Sequence, residues 1–378
     1  HMEPEMIIKT IEVFSVRIPL RPECHMITAL GLHTESNYVI IRVETSDGVE
    51  GVGEATVSER WSGETIWGAI AILKHILIPA VIGMDPTDIE AIDKKLAWQA
   101  RGNWFAKSAI EMACWDIKGK VAGKPVYDLL GGPCRGLQYE NRFSMGAFDV
   151  PRAQQRAAEL VEAGFNTIKV KVGGKAEDDI DRVRAVRAVI GSERQLTIDA
   201  NCGWNVETAI HCINAMEDCN LALVEQPTPD GDYASLARVR RETTPPIMAD
   251  DICFDLIHAH ELIRNECCDV ISVYPGKNGG IHRSQQIVEL AAEHGIACTI
   301  GSNLEYDVAT AAMAHLVVGC TNMQVETHPG DSLGPSYHEF SIAKNPLDIQ
   351  WPYTTVSDRP GLGVEMDWDR VRVAGGHL

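Results

Sequence analysis

The chain has 378 residues with 34 basic and 53 acidic side chains, so its formal net charge is −19, and 45% of its residues are hydrophobic. This length and composition are typical of a globular protein of one to three domains with enough apolar residues for a core. The acidic balance, without any run rich in Lys and Arg, excludes nucleic acid and anionic membrane surfaces as partners.

The cellular compartment is indicated by the start of the chain and by its cysteines. His1-Met2-Glu3-Pro4 has neither the basic nor the apolar region of a signal peptide, and no segment is long and apolar enough to cross a membrane. The 11 cysteines are an odd number without a CxxC pair, which favours reduced thiols over a disulfide framework. We therefore expect a cytoplasmic enzyme.

The N-terminal third reads as a small sheet followed by helices. Residues 7–19 alternate apolar and polar side chains, residues 37–45 are rich in β-branched side chains, and Asp47-Gly48 predicts a hairpin turn. Helical periodicity follows over residues 65–82, 88–101 and 105–121. This order predicts a separate α+β domain, which we assign to residues 1–135.

Eight short apolar segments follow, each but the last succeeded by a helical period. They span residues 142–145, 167–172, 196–200, 222–225, 247–249, 270–273, 297–300 and 323–325. The number and spacing of these segments predict a parallel (β/α) barrel over residues 136–330 rather than a doubly wound sheet. The proline-rich tail, residues 331–378, is expected to pack back on the first domain.

Three carboxylates stand at the ends of three consecutive predicted strands. Asp199 and Glu225 are 26 residues apart, and Asp250 follows 25 residues later. Active sites of such barrels lie at the carboxyl ends of the strands, and neighbouring strands are about 4.8 Å apart. Three carboxylates at that spacing would repel one another unless a cation bound between them. The all-oxygen donor set favours Mg²⁺, with Mn²⁺ as the alternative.

Two lysines precede these carboxylates on one strand. Lys169 and Lys171 are two residues apart, so they share a face of the strand and point toward the expected metal. A cation and a second ammonium nearby would lower the pKa of a lysine, which suits it to act as a base near neutral pH. Pairing with the carboxylates alone is the structural alternative.

The ordered motifs resemble the enolase superfamily, in the muconate lactonizing enzyme (muconate cycloisomerase) subgroup. The matching segments run over nearly the whole chain and are GNWFAKSA from Gly102, TIKVK from Thr167, IDAN from Ile198, VEQP from Val224, MADD from Met248, KNGG from Lys277, GSNLE from Gly301 and PGLG from Pro360.

The resemblance implies a modified (β/α)₇β barrel with a capping domain built from the N-terminal segment and the tail. It implies a Mg²⁺ held by Asp199, Glu225 and Asp250, and a small carboxylate substrate whose α-carbon exchanges a proton through an enediolate intermediate. Lys171 matches the acid/base, Lys169 its electrostatic helper and Glu305 a carboxylate of the substrate site. Barrels of this family are often homo-oligomers, which we also expect here.

Further residues complete the expected site. Asn201 and Lys277 are expected to contact the substrate, and Asp251 is expected to lie directly behind the metal ligands. The specificity loops are placed at residues 22–33 and 56–67. In the second loop Arg60 is expected to clamp a second substrate carboxylate and Trp61 to cover an apolar face, although either residue can equally be an exposed loop residue.

One position departs from the subgroup. The resemblance implies a second acid/base lysine three residues before KNGG, and this chain has Tyr274 there. A phenol with an ordinary pKa of about 10 can donate a proton but is a poor base at neutral pH. Lys277 is the other candidate for this role if Pro275-Gly276 bends the strand end inward, but we expect it in the following loop.

The replacement of this lysine by Tyr274 determines the order in which we rank the possible reactions. Racemisation needs a proton acceptor on each face of the α-carbon, whereas cycloisomerisation or syn-elimination of water needs only Lys171 with the metal. We therefore rank a muconate-type cycloisomerase first and a dehydratase of a hydroxylated acid, such as a sugar acid or hydroxy-amino acid with Tyr274 as proton donor, second. A racemase or epimerase ranks third, and a non-catalytic carboxylate-binding relative ranks last.

Two other patterns are set aside. Gly48, Gly51 and Gly53 are similar to a dinucleotide-binding loop, but they lie between predicted strands with no helix after them, so a turn is expected. His258 and His260 are two residues apart in a predicted helix and so face different directions, which excludes a shared metal.

Overall fold

The computed structural model describes residues 5–376; the N-terminal tetrapeptide on which the signal-peptide prediction rests lies outside them. The chain begins with an antiparallel sheet in the order β1-β4-β5, and a small hairpin of β2 and β3 is inserted in it. These strands are β1 (Ile8–Pro19), β2 (Met26–Thr28), β3 (Gly31–His33), β4 (Glu35–Thr45) and β5 (Glu50–Ala55).

Helices cover one face of this sheet, as the helical periodicity predicts. They are α1 (Ile66–Ile72), a π-helical turn (Leu73–Leu77), α2 (Ile78–Val81), α3 (Ile89–Gln99), α4 (Trp104–Ala122) and α5 (Val126–Leu129). Helix α4 is buried over most of its length and packs on β5. A Cβ atom on Gly53 would lie 1.8 Å from the carbonyl oxygen of Ala109, so this glycine allows the close approach of strand and helix.

A seven-stranded parallel sheet follows, with its strands in sequential order. The strands are β7 (Phe143–Met145), β8 (Thr167–Lys171), β9 (Gln195–Asp199), β10 (Leu223–Glu225), β11 (Ile247–Ala249), β12 (Val270–Val273) and β13 (Ala297–Ile300). The helices after them are α6 (Val150–Glu162), α7 (Ala176–Ile190), α8 (Val206–Ala215), α9 (Tyr233–Glu242), α10 (Leu256–Arg264), α11 (Pro275–Asn278), α12 (Ile281–Glu293) and α13 (Asp307–Gly319).

The eighth predicted strand is not a regular strand. Met323 makes only an isolated bridge to Cys298 of β13. The backbone N–H of Asp331 donates to Ile300 in β13 at 3.1 Å, and the N–H of Arg142, before β7, donates to Gly330 at 2.8 Å. An irregular segment therefore joins both edges of the sheet and closes the barrel. The fold is the α/β architecture with a capping domain that the sequence predicts.

The C-terminal residues return to the first strand. The N–H of Arg17 donates to Ala374 at 2.9 Å, and the Trp368 ring lies 5.4 Å from Phe14. The remaining elements are β6 (Gln138–Glu140), α14 (Gly334–Tyr337), β14 (Asp348–Gln350), β15 (Tyr353–Thr355), α15 (Trp368–Val373) and two 3₁₀ turns (Pro22–Cys24 and Glu217–Cys219).

Two sequence predictions concern the whole chain. All 11 cysteines are free thiols, as their number and spacing predict. Within residues 5–376, none of the helices combines the length and apolar character that crossing a membrane requires.

Candidate active site

The predicted lysines and carboxylates meet at the carboxyl end of the barrel. Lys171 on β8 is paired in register with Asp199 on β9, and Asp199 is paired with Glu225 on β10. Asp250 follows β11 directly, and Tyr274 follows β12. Because parallel strands end at one edge of the sheet, residues far apart in sequence become neighbours there. All five side chains are buried.

The ammonium groups lie between the carboxylates. Lys169 Nζ is 2.9 Å from Glu225 Oε2 and 3.3 Å from Asp199 Oδ2, while Lys171 Nζ is 2.5 Å from the same Asp199 oxygen. Burial lowers the pKa of Lys171, but the charges of Asp199 and Glu225 outweigh burial and raise the pKa above its ordinary value. This is opposite to the lowered pKa expected from the sequence. A cation bound to the same carboxylates would reduce that attraction.

Asn201 holds the side chain of Lys171. Its side-chain oxygen accepts a hydrogen bond from Lys171 Nζ at 2.9 Å, and its backbone N–H donates to Asp199 Oδ1 at 2.9 Å. Its φ of 42° lies in the left-handed region, which asparagine tolerates better than most residues. Asn201 also lines the cavity above the cluster, where a substrate would meet it.

Asp251, predicted to lie behind the metal ligands, contacts Asn201 and Cys202. Its Oδ2 accepts from Asn201 Nδ2 at 3.4 Å and from the thiol of Cys202 at 3.4 Å. Burial, together with the neighbouring carboxylates Asp250 and Asp199, raises its pKa to about 8. Asp251 is therefore more readily protonated than an ordinary aspartate.

Tyr274 and Lys277 both contact Asp250. The Tyr274 hydroxyl is 2.8 Å and 3.0 Å from the two carboxylate oxygens of Asp250. Lys277 is fully buried in the one-turn helix α11, which corrects the expectation that it lies in a loop. Its ammonium contacts the side chain and backbone oxygens of Asp250 at 2.8 Å and 3.0 Å and the Ser272 carbonyl at 2.8 Å. With three acceptors engaged, Lys277 is not directed at a substrate.

Above the cluster is a cavity of about 380 Å³. Lys169, Lys171, Asp199, Asn201, Asp250 and Tyr274 form its floor. The hairpin of β2 and β3 and the loop before α1 form its walls, so both predicted specificity loops border it. This volume suits a small molecule.

The two loop residues singled out from the sequence both border the cavity. Trp61 lies parallel to the Tyr274 ring, with 5.3 Å between centroids and 2° between planes. Arg60 is exposed, and its guanidinium donates to the backbone oxygen of Leu30 in the neighbouring hairpin. Trp61 therefore covers an aromatic surface, whereas Arg60 ties the two loops together.

Glu305, which is expected in the substrate site, does not border the cavity. Its oxygens accept hydrogen bonds from the Ser302 hydroxyl and the Asn303 N–H, both at 2.7 Å. Burial raises its pKa to about 8. Ser302 and Asn303 border the cavity, and Glu305 holds them from behind.

The three carboxylates have the oxygen atoms that a hard cation prefers, but they are not arranged around a common point. Asp199, Glu225 and Asp250 offer only oxygens, and Glu225 Oε1 is buried without a hydrogen-bond partner. Within residues 5–376, however, no three His, Cys, Asp or Glu side chains are arranged so that they could hold a metal ion. Lys169 contacts both Asp199 and Glu225, Lys171 contacts Asp199, and Lys277 contacts Asp250, so each of the three carboxylates is paired with an ammonium group.

Sequence reasoning missed two buried charged residues. Arg142, before β7, has its guanidinium 3.6 Å from Glu225 Oε2. Asp331, which the sequence places only at the start of the tail, is buried and borders the cavity. Both lie in or beside the irregular segment that closes the barrel. Asp331 lies outside a regular strand and gives no periodic signal. Arg142 begins the first predicted strand, but only the closure at Gly330 shows that it belongs to the site.

Family models match both halves of the chain. Residues 8–131 match the mandelate racemase/muconate lactonizing enzyme N-terminal domain, and residues 152–370 match the enolase C-terminal domain-like family.

Similar solved structures belong to enzymes of different activities. An N-succinyl Arg/Lys racemase from Bacillus cereus has a TM-score of 0.94 at 28% identity, with 98% of each chain covered. A dipeptide epimerase from Enterococcus faecalis, complexed with Mg and the dipeptide L-Leu-L-Tyr, has a TM-score of 0.90 at 32% identity, covering 95% of this chain and 99% of that one. A muconate lactonizing enzyme from Pseudomonas fluorescens, complexed with muconolactone, has a TM-score of 0.93 at 28% identity, covering 99% and 100%.

Proposed function

Because this chain belongs to the mandelate racemase/muconate lactonizing enzyme family of the enolase superfamily, we propose that it moves a proton at the carbon next to a substrate carboxylate from one face only, with Lys171 as the single acid/base. One observation carries this proposal. The position across the barrel from Lys171 is Tyr274, a phenol whose hydroxyl is hydrogen-bonded to the Asp250 carboxylate. The racemases and epimerases among the similar proteins would favour a reaction on both faces of the α-carbon. The tyrosine at position 274 argues against such a reaction here.

We propose that Asp199, Glu225 and Asp250 hold Mg²⁺ in the working enzyme. When bound, the ion would offset the negative charge that develops on the substrate carboxylate as the α-proton leaves. The dipeptide epimerase crystallised with Mg supports this cofactor, and the oxygen-only donor set is consistent with it.

The residues of this chain then have distinct roles. Lys171, once it has lost its own proton, takes the α-proton of the substrate, and Asn201 holds its Nζ at 2.9 Å in the required direction. Lys169 adds positive charge on the same side of the cavity, where the carboxylate of the substrate would lie.

The charge of the cavity favours β-elimination of water from a hydroxylated amino acid. Asp331 and Glu59 border the cavity, whereas the Arg60 guanidinium there is engaged by the Leu30 backbone oxygen. The two carboxylates would repel the second carboxylate of a muconate-like diacid but attract an ammonium group. In this reaction Lys171 removes the α-proton, the Cα–Cβ double bond forms as the β C–O bond breaks, and the proton goes to the departing hydroxide to give water. The enamine product tautomerises and is hydrolysed to a 2-keto acid and ammonium.

Muconate-type cycloisomerisation is the second candidate. It also needs only one acid/base face, and the similarity to the muconate lactonizing enzyme from Pseudomonas fluorescens supports it. The charged walls at Asp331 and Glu59 oppose it, which reverses the order that we derived from the sequence.

The test combines exchange and product analysis. The enzyme is incubated in D₂O with Mg²⁺ and either both enantiomers of 3-hydroxylated amino acids or cis,cis-muconate, and NMR follows deuterium at the α-carbon, 2-keto acid and lactone. We expect exchange of one enantiomer without epimerisation, and 2-keto acid formation. Lys171→Ala should slow exchange by about 10² to 10⁴-fold. Interconversion of the two enantiomers at the rate of exchange would overturn the one-face proposal.

A further inference from the structure

Position 274 is the place on the barrel wall from which a second acid/base would reach the substrate. Lys171 lies on β8 and Tyr274 directly after β12, four strands further along the sheet. In a barrel with eight strand positions, counting the irregular closing segment, four positions correspond to half a turn. A substrate between these walls would therefore present one face to Lys171 and the other toward Tyr274.

Trp61 covers that second face. Its indole lies parallel to the phenol ring of Tyr274 at 5.3 Å between centroids, and only 2% of the surface of Tyr274 is exposed. The ammonium of Lys277 lies 4.4 Å from the centroid of the same ring. Trp61 and Tyr274 both border the cavity, and their rings stack there, so the indole covers one face of the phenol ring.

The position of Trp61 is fixed by several contacts. Its ring also lies 5.8 Å from Phe105 of α4 and 5.5 Å from Phe254, which follows β11. Phe254 in turn lies 4.7 Å from Trp104. Each such aromatic pair adds to stability beyond simple burial, so the loop that carries Trp61 is anchored to the capping domain and to the barrel together.

We propose that Trp61 determines specificity by shielding the cavity face at Tyr274, so that a substrate lies with an apolar or planar side on the indole and exchanges its proton only toward Lys171. The inference rests on the proposed function, in which Lys171 is the single acid/base. An indole carbon face neither accepts nor donates a proton, and it keeps water from that side.

Accessibility of position 274 tests the shield without any substrate. The Tyr274→Cys variant is labelled with iodoacetate, a small carboxylate that can enter the cavity. The experiment is done once with Trp61 present and once with the additional substitution Trp61→Ala. Peptide mass spectrometry then quantifies the label on each thiol. We expect the labelling rate at position 274 to rise by about tenfold or more when Trp61 is removed, since a covered group reacts only through local opening. Labelling of a Ser302→Cys variant, elsewhere on the cavity wall, should change little.

A second measurement uses the native side chain, in case the cysteine variant fails to fold. Tetranitromethane nitrates tyrosines, and Tyr38 is a matched control because it borders the same cavity and is also 2% exposed. Trp61→Ala should increase nitration of Tyr274 but not of Tyr38.

The outcomes separate this inference from the proposed function. Equal labelling of position 274 with and without Trp61, whether fast or slow, would overturn the shield. Because labelling needs no turnover, that result would leave the deuterium-exchange test of Lys171 untouched. Two-face exchange by an enzyme whose position 274 is shielded would instead overturn the proposed function.

Discussion

At the scale of single residues, the geometry of the site depends on side chains that hydrogen-bond to other side chains of the site. The sequence predicted the lysines, the three carboxylates, Asn201 and Asp251 because ordered motifs mark the strand ends. It did not predict the place of Glu305 or Lys277, since a motif identifies a residue but not the direction of its side chain. Lys277 reaches Asp250 because α11 turns it inward, and Glu305 turns back onto the Ser302 hydroxyl.

Asn201 gives the first test at this scale. Asn201→Ala removes the acceptor that holds Lys171 Nζ and places a less tolerant residue at a φ of 42°. We expect turnover to fall by about 10- to 100-fold, the range for groups that orient a reactive side chain. Asn205→Ala is the control, because Asn205 caps α8 by accepting from the Thr208 N–H at 2.8 Å and has no contact with Lys171. Equal activity loss in both variants would contradict the orienting role.

His315 gives a pH test away from the site. Burial lowers its pKa from 6.5 to about 4, and its ring accepts from the Tyr127 N–H and contacts the Leu362 carbonyl at 2.9 Å. The unfolded chain binds a proton below pH 6.5 and the folded chain does not, so stability is lost as the pH falls from 6.5 to 4. The loss is about 3 kcal/mol for a shift of this size.

Urea unfolding at pH values of about 7 and about 4.5, on either side of most of this titration, measures the loss. His315→Gln should lose clearly less stability between the two values than the wild type, whereas the exposed control His75→Gln should lose as much as the wild type. An identical pH dependence in all three proteins would refute the assignment to His315.

At the scale of elements, strand order and helix placement follow from the pattern, and the closure of the barrel does not. Seven of the eight predicted strands are present, and the eighth is an isolated bridge at Met323. Backbone hydrogen bonds to both sheet edges hold this segment. Because such bonds do not depend on the side chains, the periodicity of the sequence does not predict them. Asp331, at the end of this segment, was missed for the same reason. The domain boundaries at residues 135 and 330 stay predictions.

The contact of β5 with α4 gives a test of element packing. Gly53→Ala would place a Cβ atom 1.8 Å from a backbone oxygen of the helix, so strand and helix must separate. We expect destabilisation of about 3 kcal/mol or more, measured by denaturant unfolding. Gly136→Ala is the matched control, because its Cβ would have its nearest neighbour at 3.8 Å. A Gly53→Ala variant as stable as this control would show that the two elements are not packed so closely.

At the scale of the whole molecule, the net charge of −19 and the proposed cation site are connected. The buried carboxylates of the site contribute to that charge and are the groups that a divalent ion would bind. A homo-oligomer and a cytoplasmic location stay predictions from the sequence.

Magnesium should therefore stabilise the protein. An ion that binds only the folded chain adds about 2.7 kcal/mol at a concentration about 100 times its Kd. We expect Mg²⁺ to raise the thermal midpoint and EDTA to reverse the change. Asp199→Asn should abolish the increase, while the exposed control Asp178→Asn should keep it. No change in the midpoint of the wild type, together with no heat of binding in calorimetry, would argue against a metal at these carboxylates.

The return of the chain end to the first strand has a consequence for synthesis. Arg17, in β1, donates to Ala374, and Val16 bridges to Gly375, so this edge of the N-terminal sheet is completed only after residues 374 and 375 have left the ribosome. Until then the nascent chain carries an unpaired edge, which is a site of aggregation that a chaperone can cover.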